Sequence, residues 1–224
     1  MPKNKLTKSK HKKYINIKKN KSTKKYTNKS TKKSHKFNKK YRGGDNDTIS
    51  FLYVDKDIAY ILPNEKMPDG KYLSFDEVND IIKNSTERDT FEPTNIFQEI
   101  DIDRSIHNRI SNVLYLINVN RDFDYVILGY VYGYIDTEYN NSRIVLIELH
   151  ENIRGRGFCT NIMDTYIKEI LKKYTDIKLF SLYNSGGEPS CRCYIKAFEQ
   201  NGFRLNETID CKRENKMEMA FNHL

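Results

Sequence analysis

The stretch NIRGRGFCT, residues 152–160, lies between a predicted strand and the most regular helical pattern in the chain. A glycine-rich turn that leads into a helix presents unpaired backbone N–H groups and the positive end of the helix dipole. Gly155 and Gly157 let the backbone approach an anion without an intervening Cβ. Arg154 and Arg156 can make bidentate bonds to phosphate oxygens. We therefore predict an anion site, and pyrophosphate is the ligand that suits it best.

This turn differs from the two common phosphate motifs. It is not a P-loop, because no Lys-Ser/Thr pair follows it, and it lacks the third glycine and the downstream acid of a dinucleotide fingerprint. The alternative is a structural turn with solvated arginines.

The flanking sequence predicts a strand, a helix and a second strand. Apolar residues recur at steps of four and one from Phe158 to Tyr174, which predicts one apolar helix face over four turns. Residues 143–150 and 177–182 are predicted strands. A strand, helix and strand in this order imply a right-handed crossover, so the two strands should be parallel neighbours.

Residues 113–119 and 125–135 predict an antiparallel hairpin, in which Gly129 and Gly133 indicate a bulge or a close approach of another group. Ser74 and Glu77 form a capping box for a helix to about Lys83. The remaining predicted elements are strands at 49–54, 58–62 and 216–221, a helix within 95–112, and a helix from about Pro189 to Asn201. The fold class is therefore α/β with a mixed sheet.

Charge divides the chain into two parts. Residues 1–44 contain 17 lysines and Arg42 but no acid, which gives a charge of +18. Residues 45–224 keep 21 of the 39 basic residues against 30 acids, a charge of −9. The first part predicts a disordered tail that binds nucleic acid or another acidic partner, and the second predicts one globular domain. The alternative is a solvated tail whose Lys/Asn bias reflects a nucleotide-biased genome.

Composition argues against several classes of protein. No apolar run approaches the roughly 20 residues of a membrane helix, and the N-terminus lacks the apolar stretch of a secretory signal. We expect an intracellular protein, cytoplasmic or nuclear. Cys159, Cys191, Cys193 and Cys211 fit a reduced compartment as small half-buried residues, and their spacing predicts no metal site.

The motif Arg154-x-x-Gly157-x-Cys159 resembles the Arg/Gln-x-x-Gly-x-Gly/Ala motif of the GCN5-related N-acetyltransferases. The order of predicted elements agrees well over residues 113–203 and loosely over residues 49–112. The resemblance implies the acyl-CoA N-acyltransferase fold, a mixed and mostly antiparallel sheet with two splayed parallel strands. It also implies an enzyme that transfers an acetyl group from acetyl-CoA to a primary amine by direct attack.

The resemblance implies roles for particular residues. The pantetheine arm would run between strands 143–150 and 177–183, held by the backbone near Leu149 and by Asn184. The pyrophosphate would lie on the amides of Arg154, Gly155, Arg156, Gly157, Phe158, Cys159 and Thr160.

Two departures from the family pattern bear on the mechanism. Cys159 stands where the family has Gly or Ala, which narrows the pyrophosphate turn. Phe198 stands where the family usually has the tyrosine that protonates the departing thiolate. Tyr194 lies one helical step earlier on the same face, so it is our candidate general acid. The alternative is a core aromatic residue.

Glu148 is our candidate general base, because it is an acid in an otherwise apolar strand. The alternative is an outward-facing side chain. His150 is a poorer candidate, expected at the surface.

Two other functions remain open. The fold could be inactive and bind acyl-CoA or a polyanion. The chain could also be a basic packaging or virion protein, since its Lys/Asn/Ile/Tyr-rich composition resembles proteins of AT-rich large DNA viruses. If it is an enzyme, the charge of −9 favours a cationic acceptor such as a lysine side chain, a polyamine or an aminoglycoside. The lysines of residues 1–44 are a further acceptor in cis.

Overall fold

The computed structural model describes residues 48–88, 108–119, 125–213 and 217–223, without the side chains of 86–88. The predicted tail lies outside the described residues, as do residues 95–107 of the predicted second helix. The strands are β1 (Thr48–Asp55), β2 (Ala59–Ile61), β3 (Lys71–Leu73), β4 (Arg109–Val119), β5 (Tyr125–Asp136), β6 (Asn141–Leu149), β7 (Leu179–Asn184), β8 (Phe203–Leu205) and β9 (Met217–His223). The helices are α1 (Phe75–Arg88), α2 (Phe158–Lys173) and α3 (Glu188–Gln200).

The described strands form one sheet in the order β3-β2-β1-β4-β5-β6-β7-β9-β8. Strands β6 and β7 pair in parallel, whereas the other described pairs are antiparallel. The predicted fold class is therefore confirmed, as is the parallel pairing across the strand–helix–strand unit. Helix α2 supplies the connection that parallel neighbours need.

The sheet has an apolar layer on each face. Alternate residues of β4 divide between the layers, so Leu114 and Leu116 face the cluster under α2 and α3, while Tyr115 faces the cluster under α1. The period-2 pattern of a strand places successive side chains on opposite faces. Both faces of the central strands are thus buried, and the sheet opens instead between β6 and β7.

Two β-bulges shape the region where that opening occurs. Leu128 in β5 and Val145 in β6 are each skipped by the strand register. Pairing between β6 and β7 ends at Ile144 and Leu182, next to the second bulge. A bulge bends its strand and increases the local twist, so β6 turns away from β7 beyond this point. The two parallel strands therefore splay, as the fold class predicted.

The glycines of β5 confirm the predicted close approach. A Cβ on Gly129 would lie 2.5 Å from Leu149 Cδ2, and one on Gly133 would lie 2.5 Å from both the Arg143 carbonyl oxygen and Tyr166 Oη. The absence of a side chain at these positions lets β6 and α2 pack directly against β5.

Helix α2 is anchored by buried polar contacts. Tyr166 Oη donates to Asn112 Oδ1 at 2.6 Å, and Lys173 Nζ donates to Asp55 Oδ2 at 2.6 Å. The side chain of Asp55 is fully buried and also accepts from Tyr53 Oη and from the backbone N–H of Asp57. Burial opposes the charge on Lys173, but the bond to Asp55 and the charge of Asp55 together raise the pKa of this lysine.

The element boundaries differ from the prediction at several points. Strand β4 begins at Arg109, inside the range predicted to hold a helix, and β3 and β8 were not predicted. Three-residue strands are too short to show a hydrophobic period. The capping box is confirmed, since Ser74 N–H donates to Glu77 Oε2 at 2.7 Å and Glu77 N–H donates to Ser74 Oγ at 3.2 Å.

The cysteines differ more sharply from expectation, because all four form disulfides instead of being separate thiols. Cys159 pairs with Cys193, and Cys191 pairs with Cys211. Residues two apart on a helix point about 200° apart. Cys191 and Cys193 on α3 therefore reach different partners, which the sequence spacing could not show.

Among the helices that the structure describes, none has the length and apolar character needed to cross a bilayer.

Candidate active site

A cavity of about 780 Å³ lies where β6 and β7 separate. The turn before α2, the end of β6, the loop between β7 and α3, and one face of α3 form its walls. It brings together eight of the eleven predicted site residues, namely Glu148, Leu149, Arg154, Gly155, Gly157, Cys159, Thr160 and Tyr194. The other three, Arg156, Phe158 and Asn184, lie outside its lining.

The glycine turn has the geometry of an anion cradle. Gly155 and Gly157 have φ angles of +75° and +85°, and a Cβ on either would meet nothing within 4 Å. Both glycines line the cavity, so that open space belongs to it. A side chain there would fill the space that a phosphate group needs. The turn therefore has space for a pyrophosphate group, whose binding there stays a prediction.

The start of α2 supports the same interpretation. Gly157 is the N-cap and makes no side-chain capping bond, and the first turn of α2 contains no acid. Helix N-termini usually carry Ser, Thr, Asp or Asn at the cap and acids in the first turn. At this helix end the positive dipole is thus left for a ligand of negative charge.

Arg154 is tied to the strand that precedes it. Its Nε donates to the carbonyl oxygen of Leu149 at 2.8 Å. A guanidinium has five N–H donors, so this bond uses one of them and fixes the orientation of the group. The predicted pyrophosphate contact and the predicted pantetheine contact are therefore neighbours linked by a hydrogen bond, a link that the sequence did not indicate.

The gap between β6 and β7 exposes apolar side chains. Val145, Leu146 and Tyr183 are 49%, 43% and 55% exposed. A smaller cavity of about 30 Å³ lies between the two strands and shares Ile147, Ser185 and Tyr194 with the large one. The smaller cavity makes the gap between β6 and β7 a narrow extension of the site.

Tyr194 lines both cavities and is only 6% exposed. Burial raises the pKa of its phenol, and the hydrogen bond with Ser190 opposes that rise more weakly. The phenol therefore stays protonated at neutral pH, as a proton donor must.

Phe198, one turn further along α3, is fully buried in an aromatic cluster. Its ring stacks on Phe221 at a centroid distance of 4.0 Å and lies 5.3 Å from Phe180. The position where the family usually has its tyrosine is thus part of the core. The phenol that reaches the cavity belongs to the preceding turn of α3.

Glu148 is half-buried and accepts a hydrogen bond from Tyr130 Oη at 2.8 Å. It is directly opposite Tyr130 in the sheet, and Tyr130 belongs to the cluster under α1. Tyr194 belongs to the cluster on the other face. The two candidate catalytic groups thus approach one cavity from opposite faces of the sheet.

Two nearby polar residues have structural roles. His150 is only 6% exposed, so its expected surface position is wrong, and its Nδ1 accepts from the backbone N–H of Asn152 at 3.3 Å. Asn184 is fully buried, and its Nδ2 donates to the carbonyl oxygen of Gly187 at 3.2 Å. This bond holds the loop between β7 and α3 beside the cavity.

Several cavity residues were not predicted. Lys196 and Arg192 are cationic residues of α3 in the cavity lining, and Arg192 pairs with Glu188 at 2.7 Å. Cys193 joins the start of α2 to α3 through its disulfide with Cys159. Helical spacing would place Arg192 and Lys196 on one face, but nothing in the sequence places that face at the turn. No group of His, Cys, Asp and Glu that could hold a metal ion occurs in the described part of the chain.

No family model matches this chain, and no curated protein matches it in sequence. Solved structures resemble it at low identity. The GCN5 protein of Tetrahymena shares 12% identity, with 66% of this chain and 88% of that chain covered and a TM-score of 0.35. The PaiA N-acetyltransferase of Thermoplasma acidophilum, in complex with coenzyme A, shares 14% identity over 67% and 80%, with a TM-score of 0.37. The microcin C7 self-immunity acetyltransferase MccE, in complex with acetyl-CoA and AMP, shares 16% over 75% and 93%, with a TM-score of 0.41.

The fold itself is defined by the features described above. A mostly antiparallel sheet contains one parallel pair, that pair splays beside a bulge, and a glycine turn leads from the splayed strand into the crossover helix. These features are those of the acyl-CoA N-acyltransferase fold that the sequence predicted.

Proposed function

We propose that this chain is an acetyl-CoA-dependent N-acetyltransferase that acetylates a primary amine by direct attack. The observation that carries the proposal is one cavity that joins the glycine turn, the gap between β6 and β7, and the buried phenol of Tyr194. An anion site, a narrow gap between two strands and a proton donor are what an acyl-coenzyme A thioester requires, in that order.

The residues of the turn would hold the coenzyme. The amides of residues 154–160 would bind the pyrophosphate at the uncapped start of α2, with Arg154 and Arg156 adding charge. The backbone of Leu149 would hold the pantetheine arm in the gap. Asn184, predicted to contact that arm, is fully buried outside the cavity lining and would instead support the loop beside it through its bond to Gly187. The bond from Arg154 to Leu149 would keep these two binding regions in register.

The chemistry needs three proton transfers. Glu148 would accept a proton from the incoming ammonium, directly or through a water, and its bond from Tyr130 would orient the carboxylate. The free amine would attack the acetyl carbonyl carbon, so that a C–N bond forms and the C–S bond breaks, and the nitrogen would release its second proton to water. Tyr194 would donate its proton to the departing thiolate, and the raised pKa of its phenol keeps that proton available.

Positioning would supply most of the rate enhancement, because direct attack forms no covalent bond to the enzyme. The amine would enter from the face of Glu148, and the thiolate would leave toward the face of Tyr194. This arrangement keeps acid and base apart, so neither neutralises the other.

The test is incubation with acetyl-CoA, measurement of thiol release, and an amine panel that includes spermine and a lysine-rich peptide. We expect amine-dependent thiol release and acetylated product. Calorimetry with coenzyme A serves as the binding control. Tight coenzyme binding without turnover would support the inactive acyl-CoA-binding alternative, and no binding would contradict both.

A further inference from the structure

We infer that the chain acetylates lysines of its own N-terminal segment, residues 1–44, in cis. The inference rests on the proposed function and names an acceptor for it. The segment contains 17 lysines, and the one nearest to β1 is Lys40, eight residues before Thr48. All 17 lysines are therefore tethered to the folded part of the chain at Thr48, the first residue of β1.

The register of the sheet places Thr48 at the same end as the cavity. Thr48 is opposite Val119 in β4, and Val119 is opposite Tyr125 at the start of β5. Leu149, at the end of β6, pairs with Gly129 near that same start of β5. The N-terminal segment thus enters the sheet at the end where β6 leaves β7, and not at the end where the two strands are paired.

The strand geometry gives the separation. One row across the sheet contains Leu52, Tyr115, Tyr130 and Glu148. Glu148 is three strands away from β1, about 14 Å at about 4.8 Å per strand. Thr48 lies four residues along β1 from this row, about 13 Å at about 3.3 Å per residue. The Cα atoms of Thr48 and Glu148 are therefore about 19 Å apart.

The chain length is sufficient to cover this separation. Eight residues span at most about 27 Å, which exceeds the distance from Thr48 to Glu148 even for Lys40. Each lysine earlier in the segment has a longer tether. Attachment makes the encounter intramolecular, so its rate does not depend on the concentration of protein.

Charge favours the same encounter. The segment carries +18 and residues 45–224 carry −9, so the segment is attracted to the body as a whole. The cationic cavity residues Arg154, Arg192 and Lys196 are left for the anionic coenzyme. In each reaction a lysine Nζ gains the acetyl group, coenzyme A leaves as the thiol, and one positive charge is lost. Repeated transfer would lower the affinity of the segment for polyanions, since that affinity depends on the number of charges.

The experiment uses the full chain with acetyl-CoA, intact mass and peptide mapping, with spermine acetylation measured in parallel. The matched control is the full chain with each of its 17 N-terminal lysines replaced by arginine, which keeps the charge of +18 and removes the acceptors. We expect several acetyl groups on residues 1–44 of the natural chain. We expect a rate per molecule that stays constant over a 100-fold range of protein concentration.

The arginine control should gain no acetyl groups on residues 1–44 and should still acetylate spermine. Tyr194→Phe should slow labelling of the segment, whereas uncatalysed acetylation by acetyl-CoA would be unchanged. An unlabelled segment beside active spermine turnover would overturn the inference and leave the proposed function standing. A rate proportional to protein concentration would show transfer between molecules and overturn the cis step. The absence of both reactions would overturn the proposed function as well.

Discussion

The two ends of helix α2 differ in whether the rest of the chain supplies a charged partner. At the C-terminal end, Lys173 bonds to the fully buried carboxylate of Asp55, so the chain supplies its own charge partner. At the N-terminal end, Gly157 caps the helix without a side-chain bond, and the space beside it is open. The chain thus pairs the charge at the C-terminal end of α2, the closed end, and leaves the N-terminal end, the open end, free to bind a ligand.

This contrast separates residues that hold the fold from residues that bind. A helix carries a partial negative charge at its C-terminus, which favours a cation, and a partial positive charge at its N-terminus, which favours an anion. Where the chain provides that partner, a substitution should change stability. Where it does not, a substitution should change ligand affinity or turnover. Substitutions at the two ends of α2 therefore separate binding from stability.

Tyr194→Phe tests the open end. We expect kcat to fall by about 10³-fold, because general acid catalysis contributes about 10²–10⁴-fold. Steady-state thiol release measures it, with Tyr139→Phe, an exposed residue in the β5–β6 turn, as the control. Burial raises the pKa of Tyr194, so its proton is lost only as pH rises through that raised value, and activity should persist beyond pH 10. An unchanged kcat in the Phe variant would remove Tyr194 from the mechanism.

Removal of each disulfide in turn gives two matched variants for the open end of α2. Replacing Cys159 and Cys193 with serine, or Cys191 and Cys211, should each lower the free energy of unfolding by about 3 kcal/mol, since both close loops of similar length. Denaturant unfolding measures this. Only the first pair lies at the glycine turn, so only its loss should also weaken coenzyme binding. Equal effects of both pairs on coenzyme affinity would contradict a local role for Cys159–Cys193.

Asp55→Ala tests the closed end. We expect a loss of about 2 kcal/mol in the free energy of unfolding, because Lys173 and Tyr53 lose their buried partner. The control is Asp57→Ala, whose exposed carboxylate lies 3.6 Å from Lys173 and should matter by less than about 0.5 kcal/mol. Thermal unfolding distinguishes them, and coenzyme affinity should change in neither. Weakened coenzyme binding in Asp55→Ala would mean that the two ends of α2 are coupled.

Gly157→Ala should lower the free energy of unfolding by about 1 kcal/mol, because a residue in the left-handed region would gain a Cβ. Coenzyme affinity should fall about tenfold, because the new methyl group enters the space for the phosphates. The control is Gly202→Ala, since Gly202 has a φ of +79°, a similarly open surrounding and no place in the cavity lining. Calorimetry should show an affinity change for Gly157 alone. Matching losses at both glycines would mean that the turn is only structural.

Local patterns in the sequence predicted the parts of the fold that depend on neighbours in the chain. The period of 3.6 from Phe158 onward predicted α2, and the observed helix begins at that residue. The capping box at Ser74 and Glu77 predicted the start of α1. Two runs of strand-forming residues separated by a polar turn predicted the β4–β5 hairpin, because composition and turn are both local in the chain.

The candidate site was predictable only in part. The turn at Arg154, Gly155 and Gly157 could be identified from its composition, and Tyr194 from its helical spacing to Phe198. The disulfide partners could not, because residues 34 positions apart meet only after α2 and α3 pack. The burial of His150 was likewise set by the β5 bulge, whose Leu128 carbonyl accepts from the His150 backbone N–H.

By itself, the sequence determined that an anion-binding turn precedes a long amphipathic helix, and that a segment of +18 precedes a body of −9. These are properties of residues close together in the chain. The tertiary structure alone decided that β6 and β7 part beside Val145, that Tyr194 and Glu148 meet one cavity from opposite faces, and that Thr48 enters at the cavity end of the sheet. Each of those depends on strand register, which long-range packing fixes and short-range pattern does not.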